Sequence, residues 1–352
     1  MSDYHFSEIR PGDRRAVREM ETLLKAEGIS KDGNLEFSVG LYDEDYQLVA
    51  TGSAFANTLR CLAVDSGHRG EGLMGQIVSY LVDWQFRRGY SDLFLYTKTS
   101  TAHFFTDLGF YEVARGGDKV VFLENRKNGF ARYLARLQAE TEASGLKGSR
   151  IGAVVMNANP FTLGHQYLLE TAAADCDILH LFMVSEDASL VPFAVREQLV
   201  RAGSAHLGNI VYHYTDSYLI SSATFPSYFL KDSETVIRSQ AALDTELFTK
   251  IAQTLGVTVR YVGEEPFSEV TNIYNEVMAE RLSAAEIALR VIPRKAQDGK
   301  AISASQVRQA IHDGNLEALR GLVPETTYSY FASDESRPVR EKIQQAAEVI
   351  HY

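Results

Sequence analysis

The stretch that decides the fold of the second half of the chain is residues 151–165, which read Ile-Gly-Ala-Val-Val-Met-Asn-Ala-Asn-Pro-Phe-Thr-Leu-Gly-His. A short apolar run ends in Asn and Pro, and a helical pattern begins at Gly-His. This order predicts a buried parallel strand that feeds a helix N-terminus. Such a junction carries unpaired backbone N–H groups and the positive end of the helix dipole. The stretch therefore predicts a phosphate-binding site.

Apolar and helical patterns alternate through the rest of the second half. The predicted strands cover 151–156, 178–184, 210–213, 257–262 and 288–292, and the predicted helices cover 165–174, 193–206, 245–255, 269–282 and 305–313. Alternation at this spacing predicts an α/β fold with a doubly wound, Rossmann-like parallel sheet, whose ligands bind at the carboxyl ends of the strands. We expect His165 to lie at such an end.

A glycine-rich loop marks the first half. After the apolar run 62–64 the chain reads Asp-Ser-Gly-His-Arg-Gly-Glu-Gly-Leu-Met-Gly (65–75), and amphipathic helix spacing follows. A second apolar run at 93–96 leads into a helical segment that ends in Gly-Phe. Backbone amides can approach a diphosphate closely where no Cβ intervenes. We expect an α/β domain with a phosphate loop between a strand and a helix.

The segment between the two halves predicts a connector. It is rich in Arg, Lys, Glu and Ala and ends in Gly-Leu-Lys-Gly-Ser at 145–149, which is typical of a helix closed by glycine and followed by a linker. A chain of 352 residues usually forms two domains. We expect a first domain at 1–125, a connecting helix and linker at 126–148, and a second domain at 149–352.

Composition excludes several classes of partner. The formal net charge of −11 argues against nonspecific nucleic-acid binding, which needs a basic surface. Neither a basic-then-apolar leader nor an apolar run of about 20 residues is present in the sequence, so we expect no membrane association and a cytoplasmic protein. The two cysteines, Cys61 and Cys176, lack metal-ligand spacing, and we expect reduced structural thiols and no protein-bound metal site.

The second half resembles the HxGH adenylyltransferases. Residues 156–165 match their nucleotide-binding motif, with Thr162 where the first His usually stands, and Ile-Ser-Ala-Ser-Gln-Val-Arg at 302–308 matches their second signature. We expect His165 to contact phosphoryl oxygens in the transition state and Arg308 to reach the β- and γ-phosphates. The ATP site that the resemblance implies consists of Asn157, Asn159, Phe161, Thr162, Gly164, His165, Ile302, Ser303, Ser305 and Arg308.

Two further segments are weaker candidates for the same site. Lys231, in an aromatic-rich segment, is interpreted as a catalytic cation for phosphate or carboxylate, or else as a solvated lysine. Gly263, Glu264 and Phe267 follow a predicted strand, where this superfamily places a loop that borders adenine; a solvated turn is the alternative.

The first half resembles the GNAT acetyltransferases over about residues 1–125. The resemblance rests on the Arg69–Gly75 loop and on Phe-Phe-Thr-Asp-Leu-Gly-Phe at 104–110. It implies that Arg69, Gly70, Gly72 and Gly75 hold a CoA-like ligand. Phe105 stands where many active acetyltransferases carry a Tyr, so general-acid help from a hydroxyl is unavailable there. A binding module, a structural remnant and an active acetyltransferase all remain open.

The chain as a whole, with its two halves in this order, resembles the citrate lyase ligase family, and the similarity extends nearly from end to end. The strings that carry this resemblance are 156–165, Ala-Thr-Phe-Pro-Ser-Tyr-Phe at 223–229, and 302–308. It implies that the protein uses ATP and Mg²⁺ to convert acetate to acetyl-AMP and pyrophosphate. The acetyl group then passes to the CoA-derived thiol on the acyl-carrier subunit of citrate lyase.

Two alternatives stay open at this point. One is a nucleotidyltransferase that adenylylates a phosphorylated small molecule of the phosphopantetheine or nicotinamide mononucleotide type. The other is a protein that senses ATP and acyl-CoA without turnover. The replacements at Phe105 and Thr162 favour this hypothesis, whereas the Gly164-His165 pair and Arg308 oppose it.

Overall fold

The computed structural model describes residues 4–187, 189–219, 233–264, 269–297 and 300–349. It divides the chain into two compact units. The first unit comprises the chain up to Arg132 together with the later residues 233–246, and the second comprises the rest. The division therefore falls earlier than the expected boundary at 149, inside the segment predicted as a connector.

The first unit is a mixed α/β layer structure. Its elements are β1 (His5–Glu8), α1 (Arg14–Ala26), β2 (Phe37–Tyr42), β3 (Leu48–Phe55), β4 (Thr58–Val64), α2 (Leu73–Arg87), β5 (Phe94–Lys98), α3 (Ala102–Asp107), β6 (Tyr111–Gly116) and β7 (Val120–Glu124). The sheet order is β1-β2-β3-β4-β5-β7-β6. Neighbours are antiparallel except β4 and β5, which are parallel and pair only at Thr58–Phe94 and Leu59–Leu95.

Helix α2 packs on the first sheet through one apolar face. Leu73, Ile77 and Leu81 recur at four-residue spacing and are buried. They meet the sheet at Gly52, where a Cβ would come within 2.5 Å of the Ile77 side chain. This close approach fixes the start of α2, and with it the end of the glycine-rich loop, over the sheet.

The second unit contains the predicted doubly wound sheet. Its elements are the end of α4 (Gly129–Ser144), β8 (Ile151–Met156), α5 (Leu163–Asp175), β9 (Ile178–Met183), α6 (Phe193–Ser204), β10 (Ile210–Tyr214), the end of α7 (Ser233–Leu255), β11 (Val259–Gly263), α8 (Glu269–Ala284), β12 (Ala288–Ile292), β13 (Ala296–Gln297), β14 (Lys300–Ala301), α9 (Ala304–His312), α10 (Glu325–Ala332) and α11 (Arg337–Gln345). The five strands are parallel in the order β10-β9-β8-β11-β12. The α/β fold class is confirmed.

The strand order determines where a ligand site can form. β8 has β9 on one side and β11 on the other, so the winding direction reverses between β8 and β11. The loops after these two strands must leave the sheet in opposite directions, which opens a crevice at their carboxyl ends. The motif at 157–165 follows β8 directly and therefore borders this crevice.

Helix α4 is fastened to the second sheet by polar contacts. The hydroxyl of Tyr133 donates to the carbonyl of Tyr214 at 3.1 Å, and Glu140 Oε2 lies 2.5 Å from His213 Nδ1. His213 Nε2 is 2.8 Å from Nδ1 of His180, whose own Nε2 is buried and has no hydrogen-bond partner among the described residues. Burial lowers the pKa of His180 to about 3 and that of His213 to about 4. Both rings are therefore neutral at pH 7.

Within the described ranges, no helix is both long and apolar enough to cross a membrane.

Candidate active site

The start of α5 is closed by a reciprocal pair of side chains. Thr162 is the N-cap, and its hydroxyl accepts a hydrogen bond from the His165 backbone N–H at 3.2 Å. In return, His165 Nδ1 accepts from the Thr162 backbone N–H at 3.1 Å. This capping box satisfies two N–H groups at the helix start. The Thr162 hydroxyl, predicted to contact ATP, is 2% exposed and serves the cap.

The cap also determines which ring nitrogen of His165 carries the proton. Because Nδ1 accepts from a backbone N–H, the proton of the neutral ring must reside on Nε2. Burial, followed by the charge of Arg294, lowers the pKa of His165 to about 4. At neutral pH the ring is therefore an uncharged donor with one N–H, suited to an oxygen that gains negative charge.

The start of α9 is built in the same way and lies beside the start of α5. Ser303 Oγ accepts from the Gln306 backbone N–H at 3.3 Å, and Gln306 Oε1 accepts from the Ser303 N–H at 3.0 Å. A Cβ at Gly164 would lie 3.4 Å from the carbonyl oxygen of Ile302. The two signature motifs therefore meet, and Ser305 lies in the first turn of α9. Two neighbouring helix N-termini form a site for an anion.

Arg308, predicted to reach the β- and γ-phosphates, donates to two backbone carbonyls. It is 3% exposed, and its Nε donates to the carbonyl of Val349 at 2.6 Å. Its Nη1 donates to the carbonyl of Asn159, also at 2.6 Å. In this geometry the guanidinium ties the first motif to the C-terminal segment. The reason is that the two buried carbonyls need donors.

The loop after β8 is held by an arginine that the sequence reasoning missed. Arg196 is 1% exposed and donates to the backbone carbonyls of Val191, Asn157, Val184 and Glu186. It also donates to the Asn157 side-chain oxygen at 2.8 Å. These bonds gather the ends of β8 and β9. The signal was weak, because Arg196 occurs in an ordinary helical pattern.

Two other predicted ATP contacts are buried. Asn159 is 3% exposed, and its Oδ1 accepts from the Val191 N–H at 3.1 Å. Phe161 is fully buried, and a Cβ at Gly203 on α6 would come within 2.4 Å of its ring. The Phe161 ring stacks near the His165 ring, with centroids 5.8 Å apart. Phe161 therefore packs in the core beside the His165 ring.

The residues after β11 and β12 complete the crevice. Gly263 ends β11, and the Glu264 backbone N–H donates to the carbonyl of Ile292 at 2.9 Å. Arg294 Nε donates to the Glu264 carbonyl at 2.7 Å. The sequence analysis did not identify Arg294 as a residue of this crevice. Its position just beyond the predicted strand 288–292 was the available signal, because ligands bind at the carboxyl ends of parallel strands.

Two of the predicted site residues, Lys231 and Phe267, lie outside the described residues. Within the part of the chain that is described, no three His, Cys, Asp or Glu side chains cluster as metal ligands. Mg²⁺ is commonly bound through one or two carboxylates together with substrate phosphates and water.

The glycine-rich loop of the first unit leads into α2 with an open helix start. Gly70 and Gly72 have φ of +90° and +76°, and Gly72 is the N-cap of α2 with no side-chain cap. Arg69 Nη2 donates to Glu27 at 2.6 Å. Gly75 lies within α2, and Phe105 is buried on α3. The positive φ values require glycine, and the uncapped N–H groups suit a phosphate.

Two family models match this chain. The model described as the citrate lyase ligase C-terminal domain matches residues 151–331, and the acetyltransferase (GNAT) family model matches residues 6–110.

Curated relatives match along nearly the whole length. A citrate (pro-3S)-lyase ligase from Haemophilus influenzae is 38% identical over 324 residues, which cover 90% of this chain and 96% of the relative. The ligase of Klebsiella pneumoniae is 36% identical and covers 90% and 93%. That of Escherichia coli K12 is 36% identical and covers 92% and 93%.

Proposed function

The chain belongs to the citrate lyase ligase family, and from that premise we propose that it activates acetate with ATP and transfers the acetyl group to a carrier thiol. It is an enzyme, and a ligase of this kind uses ATP. The proposed product of the first step is acetyl-AMP, with release of pyrophosphate. The proposed acceptor is the CoA-derived prosthetic thiol on the acyl-carrier subunit of citrate lyase.

The observation that carries this proposal is the meeting of two capped helix starts beside a neutral histidine. A Cβ at Gly164 would lie 3.4 Å from the carbonyl oxygen of Ile302, so the N-termini of α5 and α9 lie close together. His165 adds a single Nε2–H donor there. Preorganised donors of this kind stabilise charge that develops on a phosphoryl group. The arrangement therefore suits transfer at the α-phosphorus of ATP.

The chemistry needs no general base. Acetate is ionised at neutral pH, so its oxygen can attack the α-phosphorus directly. That oxygen–phosphorus bond forms while the bond from the α-phosphorus to the bridging oxygen breaks, and the electron pair leaves with pyrophosphate. The task of the protein is to align the two reactants and to stabilise the oxygens. His165 is proposed to donate to an oxygen of the phosphoryl group in this step.

The first unit is proposed to serve the second step. The open start of α2 after Gly72 suits the diphosphate of a CoA-like arm. Phe105 offers no hydroxyl acid, so a holding role accounts for the loop better than acetyl transfer to an amine does. The loop residues Arg69, Gly70, Gly72 and Gly75 are assigned to the prosthetic arm in this proposal.

The test is exchange of labelled pyrophosphate into ATP by the purified protein with Mg²⁺. We expect exchange that depends on acetate, because acetyl-AMP formation is reversible in the site. Exchange that requires a phosphorylated acceptor of the pantetheine or nicotinamide mononucleotide type would instead favour a nucleotidyltransferase. ATP binding with no exchange under either condition would favour a sensing protein. Either result would overturn the proposal.

A further inference from the structure

Arg196 on α6 is a buried cation that donates hydrogen bonds to Asn157, the first residue after β8. We propose that Arg196 is a positioning residue of the adenylation step. It orients the side-chain amide of Asn157 so that one amide N–H of Asn157 meets a phosphoryl oxygen of ATP. The inference rests on the proposed function and adds to it one preorganised donor and the residue that orients this donor.

The side-chain amide of Asn157 is held in one orientation. Arg196 Nη1 lies 2.8 Å from Asn157 Oδ1. Because a guanidinium only donates hydrogen bonds, the atom that faces it must be the amide oxygen. The amide nitrogen is therefore the atom that donates to Ser189 Oγ, at 3.1 Å. These two contacts together fix the plane of the amide.

This orientation leaves one N–H of Asn157 for a ligand. Nδ2 carries two hydrogens, and Ser189 Oγ accepts one of them. Among the described residues, no further acceptor is bonded to this nitrogen. Asn157 is only half-buried and directly follows Met156, where β8 ends. The second N–H therefore lies at the carboxyl end of β8, beside the crevice where the strand order places a ligand.

The charge of Arg196 also favours an anion at this end of the sheet. Its hydrogen bonds go to four backbone carbonyls and to the Asn157 amide oxygen, and all of these acceptors are neutral. Burial lowers the pKa of Arg196, and the charges of Asp187 and Glu186 oppose that shift. A buried cation that is bonded to neutral groups is stabilised by an anion nearby. The phosphates of ATP are such an anion.

The experiment is a double-mutant cycle of Arg196→Lys and Asn157→Ala in the full-length chain. Arg196→Lys keeps the charge and loses the fork that reaches Oδ1, and it should lower acetate-dependent pyrophosphate exchange about tenfold, since a misplaced group is less effective. Asn157→Ala removes the donor and should lower exchange about 10²-fold. Because Arg196 acts through Asn157, the double variant should exchange no more slowly than Asn157→Ala alone. Losses that multiply would overturn the inference, since Arg196 would then have a structural role only.

Arg201→Lys is the matched control for Arg196→Lys. Arg201 lies on the same helix and pairs with Glu197 at the surface. The same substitution there should leave exchange at the normal rate. A loss equal to that of Arg196→Lys would contradict the inference, because it would show a general effect of altering α6.

ATP binding separates the donor from the fold. Asn157→Asp keeps an oxygen for Arg196 and loses the N–H donor. Urea unfolding of this variant should match that of the unaltered protein, while isothermal titration should show ATP bound about tenfold more weakly or worse. Unchanged ATP affinity would overturn the inference, and this variant decides the matter if Arg196→Lys does not fold. If the unaltered protein binds ATP without acetate-dependent exchange, the proposed function fails, and the ATP affinities of the variants still test the Asn157 donor.

Discussion

Both units place a helix N-terminus after a strand and a short loop, but the two helix starts are built differently. α2 begins after Gly72, whose φ is +76°, and no side chain caps it. α5 begins after Thr162, and the Thr162–His165 pair caps it. An open start leaves its N–H groups for a ligand, whereas a capped start consumes two of them and gains an oriented ring donor. The first arrangement suits holding a phosphate, and the second suits reacting at one.

The largest expected effect tests the capped start. His165→Ala should lower the rate of acetate-dependent pyrophosphate exchange about 10²–10³-fold, because the Nε2–H donor acts mainly on transition-state charge. Thr162→Ser is the control, since it keeps the capping hydroxyl and should keep most of the rate. Near-normal exchange by His165→Ala would mean that the cap has only a structural role and would remove the contrast with α2.

Replacing Arg308 tests whether the loop before α5 depends on the hydrogen bonds that this side chain donates to backbone carbonyls. Arg308→Ala should lower the free energy of unfolding by about 3 kcal/mol, since the carbonyls of Asn159 and Val349 lose a charged donor. Thermal or urea unfolding measures this. Arg337→Ala removes an exposed arginine near the same end of the chain and should change stability by less than about 0.5 kcal/mol. Unchanged stability with a higher KM for ATP would return Arg308 to the phosphate-binding role predicted from the sequence.

Acid should destabilise the second unit more than the first. His180 and His213 stay neutral in the folded protein down to about pH 3 and pH 4, whereas unfolded histidine takes up a proton near pH 6.5. Their contribution to the free energy of unfolding is fully present above pH 6.5 and is lost progressively as the pH falls toward 4. Among the described residues of the first unit, no histidine is buried.

Amide hydrogen exchange, measured as a function of pH, reports the stability of each unit separately. Protection of β9 and β10 should fall between pH 6.5 and pH 4, while β3 and β7 of the first unit should change less over that window. His213→Gln should weaken the pH dependence. Equal loss of protection in both sheets would show that the buried histidines do not set the acid sensitivity.

The smallest expected effect is on ligand binding at the open start of α2. Gly72→Ala should weaken binding of a CoA-like ligand about fivefold, because a Cβ at φ +76° costs about 1 kcal/mol. Gly89→Ala carries the same backbone strain at the other end of α2, with φ of +88°, and should leave binding intact. Isothermal titration with CoA measures both. Equal binding of CoA by the two variants would mean that the loop has only a structural role. Pyrophosphate exchange should be normal in both variants.

Much of the fold was predictable because periodicity is a local signal. The limits of β8 and β12 match the predicted strands at both ends, and α6 and α8 begin at the predicted residues. Helices α10 and α11 were not anticipated, since the predicted elements ended at residue 313. α7 begins at Ser233, well before the predicted 245, although the second unit contains only its final part.

The candidate site was predictable in its backbone and less so in its side chains. The two signature motifs lie together, at Gly164 and Ile302, because both follow the carboxyl ends of strands. The direction of Arg308 depends on the carbonyl of Asn159, 149 positions earlier in the chain, which no local pattern reveals. Arg196 and Arg294 were missed for the same reason, since each is fixed by loop carbonyls that only the fold positions.

The attachment of α4 bears on where the chain can be divided without loss of contacts to the second sheet. Tyr133 and Glu140 hold α4 to β10, so this helix is part of the second sheet's own cover although it precedes the glycine-rich segment at 145–149. A recombination event in that segment would leave the Tyr214 carbonyl and the His213 ring without these partners. A junction before the start of α4, near residue 128, would keep these contacts, although it would still separate residues 233–246 from the rest of the first unit. The glycines at 145–149 therefore lie inside the second unit and do not mark its boundary.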